Sequence, residues 1–294
     1  MPFVTATVSL QGNRKLNQDR YAVLRDGDSV LLLLSDGMGG HPRGEVAAQI
    51  VVDTGRAAFE TTSKPIGDPS GFLDDLLKTA HEQIVAYGRR QHPPVDPRAT
   101  AVAVLVQNGT ACWVHAGDSR AYLFRDYRVV QRTRDHSFVE QLHGRGILAK
   151  TDPKAKRYRN LVTQCLGGSG MRFGTSRGRP IRLRRHDILL LCSDGLWSQL
   201  PEGQLGPRMR HRGSLERMAS ELARDARQAA APSSDNITLV ALRWHGEDEE
   251  RASPPETEAD HTGNEKPTAA EPDRLQDAIE LLRSAIEDYE AGSQ

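Results

Sequence analysis

Hydrophobic positions alternate loosely with polar ones over Val4–Leu10 and predict a strand. Two more strands follow at Arg20–Arg25 and Ser29–Ser35, joined by the turn Asp26-Gly27-Asp28. The period then changes. Val46, Ala47, Ile50, Val51 and Ala58 mark one face of a helix over Glu45–Phe59. Asp68-Pro69-Ser70 opens a second helix, with Leu73, Leu76, Leu77, Ala80, Ile84 and Val85 on one face. Gln91–Arg98, with its prolines, reads as a loop. Thr100–Gln107 and Ala111–Ala116 flank Asn108-Gly109, a strong hairpin signal. Arg120–Arg125 and Arg128–Arg132 flank a second turn at Asp126. A short helix is expected over His136–His143, and a strand pair over Ile181–Arg184 and Asp187–Ser193 around Arg185-His186. Leu215–Ala230 reads as a helix and Ile237–Trp244 as a closing strand.

Strands in hairpins imply antiparallel pairing. With the helices segregated from them, the pattern predicts an α+β layered domain over residues 1–245 rather than a parallel sheet. After Trp244 the composition shifts. Residues 246–270 are acidic and rich in Pro, Glu and Thr, as in a disordered linker. Residues 271–290 recover a helical period, with Leu275, Ala278, Ile279, Leu282, Ala285, Ile286 and Tyr289 on one face. That amphipathic helix is expected to dock on the body or a partner.

Charge sharpens this division. The 294 residues carry 39 Lys+Arg and 39 Asp+Glu, yet residues 246–294 hold 15 acids against 4 bases. The preceding 245 residues are therefore basic by 11 charges, which suits an anionic substrate. Nucleic acid is disfavoured, because Phe, Trp and Tyr make up only 5% and no binding motif is present. The longest apolar runs, Val30–Leu34 and Ile188–Cys192, are too short to span a bilayer, and the first residues lack a signal pattern. Cys112, Cys165 and Cys192 form no CxxC motif and are expected as buried thiols in a cytoplasmic protein.

Five aspartates occupy unusual settings. Asp36 and Asp194 each end an apolar strand in one pattern, LLLLSDG and ILLLCSDG. Asp118 follows a strand, and Asp19 and Asp235 precede strands. One such Asp is ordinarily a turn or cap residue. Five at strand ends suggest a cluster that needs protonation or cations to coexist. Without His or Cys in these motifs the donor set is all oxygen, which selects Mg²⁺ or Mn²⁺ over zinc. The glycine-rich segment 36–44 lacks the GK[ST] of a P-loop.

Taken in order, these motifs resemble the bacterial PPM (protein phosphatase 2C) family of metal-dependent Ser/Thr protein phosphatases. The matching residues are Arg14-x-x-Asn17-Gln18-Asp19, Ser35-Asp36-Gly37-Met38-Gly39-Gly40, Gly44 and Ala47-Ala48. Thr100, Gly117-Asp118-Ser119-Arg120 and Asp135-His136-Ser137 follow. Leu166-Gly167, Ser193-Asp194-Gly195-Leu196 and Asp235-Asn236 complete the series. The resemblance spans about residues 4–243 and implies a four-layer α-β-β-α sandwich of two antiparallel sheets flanked by helices. It implies two Mn²⁺ or Mg²⁺ ions, with Asp36 bridging both. Asp194 and Asp235 would hold the first ion, and the Gly37 carbonyl the second, with Asp19 acting through water. Asp118 would help bind a possible third. Arg14 would bind the substrate phosphate, since a guanidinium matches phosphate oxygens in bidentate geometry. Phosphoserine and phosphothreonine in proteins would be hydrolysed by a hydroxide bridging the ions, in opposition to a partner kinase. The alternatives are a silent phosphoprotein-binding regulator or a phosphatase for a small metabolite. A monomer is expected.

Two departures stand out. Met38 occupies a position where some members carry His, so the leaving-group proton is expected from bound water rather than from His41. The flap, about residues 144–165, is unusually basic, with Arg145, Lys150, Lys154, Lys156, Arg157 and Arg159.

Overall fold

The two continuous apolar runs are strands buried on both faces. Val30–Leu34 is fully inaccessible, and so is Leu189–Cys192. In the first run Leu31 and Leu33 pack toward helices, whereas Val30, Leu32 and Leu34 face a second sheet. In the other run Ile188, Leu190 and Cys192 face helices, and Leu189 and Leu191 face the opposing sheet. A strand covered on both sides has no reason to alternate, so the polar half of the period disappears.

The computed structural model describes residues 2–146, 161–168, 173–210 and 213–246. The strands run β1 (Phe3–Leu10), β2 (Asp19–Asp26), β3 (Ser29–Asp36), β4 (Arg98–Ala99), β5 (Ala101–Gln107) and β6 (Thr110–Ala116). They continue β7 (Arg120–Arg125), β8 (Arg128–Arg132), β9 (Leu166–Gly167), β10 (Ser176–Arg177), β11 (Ile181–Arg182), β12 (Ile188–Cys192) and β13 (Ile237–Trp244). The helices are α1 (Gly44–Thr61), α2 (Pro69–Arg90), α3 (Phe138–Gly144), α4 (Asp194–Trp197), α5 (Glu202–Arg208) and α6 (Leu215–Ala229).

The first sheet has the order β1-β13-β12-β7-β8. The second has the order β10-β6-β5-β3-β2, with β11 also pairing β6. These pairings are antiparallel. Three apolar layers result. One lies between α1–α2 and the second sheet, one between the sheets, and one between the first sheet and α4–α6. This is the expected four-layer α-β-β-α sandwich.

Local chemistry sets the helix ends. The Asp68 side chain accepts from the Gly71 amide with Pro69 at the first helical position, and Ser137 and Ser214 cap α3 and α6 in the same way. Capping by Ser137 starts α3 at Phe138, two residues later than periodicity suggested. Asn108 and Gly109 both adopt positive φ, as a tight hairpin turn requires. All three cysteines are free and buried.

One expected pairing is corrected. Ile181–Arg184 and Asp187–Ser193 do not form a hairpin: β11 joins β6 in the second sheet, and β12 lies between β13 and β7 in the first. The intervening Arg185-His186 is a crossover between sheets, held by Asp187. Its carboxylate takes a bidentate pair from Arg125 and the Arg184 amide. The sheet-to-sheet step wins because it lets the apolar strand β12 sit between β13 and β7 with both faces covered. The acidic segment, the helix expected over 271–290 and most of the flap lie outside the described residues.

Candidate active site

The SDG motifs place two carboxylates at the same end of opposed sheets. Asp36 is the last residue of β3, and Asp194 follows β12 as the first residue of α4. Each preceding serine turns inward and is fully buried. Ser35 Oγ donates to the Thr100 carbonyl at 2.6 Å, and Ser193 Oγ donates to Asp19 Oδ2 at 2.8 Å. Thr100 in turn receives the Asp36 amide on its hydroxyl and donates its own amide to the Asp36 carbonyl. The end of β3 is thereby fixed from both sides.

Asp19 opens β2 and stands directly opposite Asp36 in the antiparallel register. Like charges in that position are destabilising. Asp19 is nearly inaccessible, and its Oδ1 has no hydrogen-bond partner among the described residues. Asn17 accepts the Asp19 amide and donates to Ser9 Oγ, which meets Thr238 Oγ1 at 2.8 Å. A chain of hydroxyls and amides thus ties β1, β2, β13 and α4 together beneath the carboxylates.

Arg14 and Asp235 form the exposed rim. The guanidinium donates from Nε and Nη2 to the two Asp235 oxygens at 2.7 and 2.6 Å. Asn236 holds the loop carrying Arg14: its side chain accepts the Gln18 amide and donates to the carbonyls of Gln11 and Leu16. Asp118 lies in the crossover from β6 to β7, after Gly117, whose φ of 103° is a conformation reserved in practice for glycine. A Cβ on Gly117 would also meet Thr100 at 2.6 Å. Gly37 is excluded from substitution by contact alone: a Cβ there would lie 2.3 Å from the Gly44 carbonyl oxygen.

The carboxylates sense one another strongly. Burial, and then the charges of Asp19, Asp194, Asp118 and Asp235, hold the Asp36 carboxyl well above the usual carboxylate range. Burial followed by Asp118, Asp235 and Asp19 does the same to Asp194. Burial pushes Asp19 up to about 6, and burial with Asp135 pushes Asp118 up to about 7. The Arg14 guanidinium is stabilised in its charged form, first by its bond to Asp235 and then by the charges of Asp235, Asp194 and Asp36. All six predicted side chains therefore lie within electrostatic reach of one another.

They do not close into a cage. Among the described residues, no three His, Cys, Asp or Glu side chains converge tightly enough around one point to enclose an ion. The cleft nonetheless fits hard divalent cations. Its donors are all oxygen, Asp19 Oδ1 is buried without a partner, and Asp19 and Asp36 face each other across one ladder. His41 sits apart, beside Arg98 and Asp96, with its imidazole pKa lowered by burial and then by the Arg98 charge. The supporting roles of Ser193, Thr238 and Ser9 were not legible in sequence. Only the repeated serine before each Asp-Gly hinted at one.

The family model for protein phosphatase 2C matches residues 9–232. The chain belongs to this family. This protein phosphatase 2C member is 28% identical over 232 residues to the serine/threonine phosphatase stp of Listeria welshimeri, covering 78% of this chain and 90% of that protein. The crystal structure of serine/threonine phosphatase Stp1 from Staphylococcus aureus matches it with a TM-score of 0.76 at 27% identity, covering 82% of this chain and 95% of that one. The catalytic domain of the serine/threonine protein phosphatase PstP, solved in complex with two manganese ions, matches with a TM-score of 0.69 at 29% identity, covering 82% and 97%. The sequence motifs and the fold thus lead to the same family.

Proposed function

We propose that the carboxylate cleft hydrolyses phosphoserine and phosphothreonine in proteins with the aid of two Mn²⁺ or Mg²⁺ ions, in opposition to a Ser/Thr kinase. That the chain is a serine/threonine phosphatase follows from its family and its named relatives. The observation that carries the site assignment is the register that sets Asp19 opposite Asp36, with Asp194, Asp118, Asp235 and Arg14 close enough to shift the acidity of that group.

In this reading Asp36, Asp194 and Asp235 would hold one ion, Asp36 and the Gly37 carbonyl the other with Asp19 in support, and Asp118 would help hold a weaker third. Bound there, such ions would supply charge neutralisation for the phosphoryl group and a lowered water pKa. The chain's own residues orient and exclude. Arg14 holds Asp235 through Nε and Nη2, which leaves its Nη1–Nη2 edge to take the substrate phosphate. The Ser193–Asp19 bond fixes the Asp19 carboxylate, and the Thr100 bonds fix the backbone that carries Asp36. A monomeric body and a docked C-terminal helix complete the proposal.

Arg14→Lys keeps the charge and loses the fork. It is expected to lower kcat/KM for a phosphothreonine peptide by about 10–100-fold while leaving Mn²⁺ binding near wild type. An unchanged kcat/KM would remove Arg14 from substrate binding. The direct test of the function is hydrolysis of that peptide by full-length protein. Chelation is expected to abolish phosphate release and millimolar Mn²⁺ to restore it. Equal rates with chelator and with Mn²⁺ would overturn metal dependence, and no release under either condition would overturn the substrate class.

A further inference from the structure

We propose that Arg120 is a positioning residue that holds the Asp118 turn and the Asp194 helix at a fixed separation across the cleft. The inference deepens the metallophosphatase reading and rests on it.

Arg120 opens β7, two residues after Asp118, where the chain crosses from the second sheet to the first. One guanidinium there meets two other segments as well as its own strand. Its Nε and Nη2 donate to the two Asp135 oxygens at 2.8 and 2.6 Å. Its Nη1 donates to the Tyr122 hydroxyl at 2.9 Å. Its face lies 3.7 Å from the centroid of the Trp197 ring. The Arg120 side chain is 15% exposed and that of Asp135 7%, so water screens these contacts little.

Each of the two other segments leads to a carboxylate of the cleft. Asp135 precedes His136, whose amide donates to the Gly117 carbonyl and whose Nδ1 accepts the Gly117 amide. The Asp118 turn is thereby clamped to the segment that Arg120 grips. Trp197 ends α4, the single turn that Asp194 begins, and the Ser198 amide closes that turn on the Asp194 carbonyl. Holding Trp197 therefore holds the start of α4. Asp118 and Asp194 also repel each other through the cleft. The brace opposes that repulsion with one rigid, planar group anchored at both ends. Lysine has neither the bidentate fork nor the flat stacking face.

The test uses the full chain and Mn²⁺ as the probe, with free Mn²⁺ read by electron paramagnetic resonance and stability read by calorimetry. Arg120→Lys and Trp197→Leu are each expected to raise the Mn²⁺ concentration for half-saturation by about tenfold, the usual size of a lost supporting contact. Trp197→Phe, which keeps an aromatic face, is expected to return most of that affinity. Should Arg120→Lys fail to fold, Trp197→Leu carries the test, because it leaves the Arg120–Asp135 pair intact. A lower melting temperature with a Mn²⁺ isotherm superimposable on wild type would overturn the inference and leave Arg120 as a packing residue. Wild-type protein that binds no Mn²⁺ would overturn the metallophosphatase reading itself.

Discussion

Asp36→Asn is expected to abolish phosphatase turnover and, in the same protein, to raise the melting temperature measured in chelator. Asp36 is buried at the end of β3, directly opposite Asp19 and under the influence of Asp194, Asp118 and Asp235. Folding must therefore either bury a charge among like charges or hold a proton that the unfolded chain would release. Asparagine keeps the shape and removes that cost. The gain is on the order of 1–3 kcal/mol, or roughly 2–4 °C per kcal/mol for a body of this size. Turnover should fall by about 10³-fold or more, because a neutral amide cannot bridge two cations as a carboxylate does. Peptide kinetics in Mn²⁺ and calorimetry in chelator check the two halves. If the Asp36→Asn variant melts lower than wild type in chelator, Asp36 stabilises the fold, against the argument made from its surroundings.

Metal-free stability is expected to fall as pH rises from about 4 to about 7. The sign follows from linkage. Asp19 is raised to about 6 and Asp118 to about 7 from an ordinary value of 3.8. Between those limits the folded chain holds protons that the unfolded chain has released, so raising the pH favours unfolding. Below about 4 both states are protonated and the contribution is fully present; above about 7 it is gone. The two groups together contribute at most on the order of 7 kcal/mol, less in so far as they titrate as a coupled set. Saturating Mn²⁺ should reverse the slope, since the same oxygens bind cations only when ionised. Melting temperatures across this range, with chelator and with Mn²⁺, measure both signs. Asp118→Asn should make the chelator curve shallower, with Asp19 and the other raised carboxyls supplying the remaining slope. A chelator curve that is flat in wild type, or no steeper than in Asp118→Asn, would refute the account.

These effects arise where sequence reading was strong on identity and weak on arrangement. The five aspartates were legible because a carboxylate at the end of an apolar strand has no packing reason to be there; Arg14 was legible only through the family motif that links it to Asp19. The helices were legible from their apolar stripes, and the turns from Asn108-Gly109 and Asp126. The hidden features depend on partners far away in the chain. Ser193 supports Asp19 across 174 positions, and Asn236 holds the Arg14 loop from more than 200 away. No local pattern encodes such a pair. The β11–β12 step was misread for the same reason: two strands separated by a short polar link look like a hairpin whichever sheet each one joins.

The sequence alone determined the element types, the α+β class, the all-oxygen donor chemistry and, by ordered motifs, the family. Periodicity, turn chemistry and donor type are local, so they survive without coordinates. Only the tertiary structure decided that Asp19 faces Asp36, that Arg14 grips Asp235 and that Arg120 joins Asp135 to Trp197. It also decided that the pKa values of Asp19, Asp36, Asp118 and Asp194 are raised above the ordinary carboxylate range. Those outcomes follow from strand register and burial. Both are set when apolar faces far apart in the chain cover one another, and that leaves the polar strand ends to meet in the cleft.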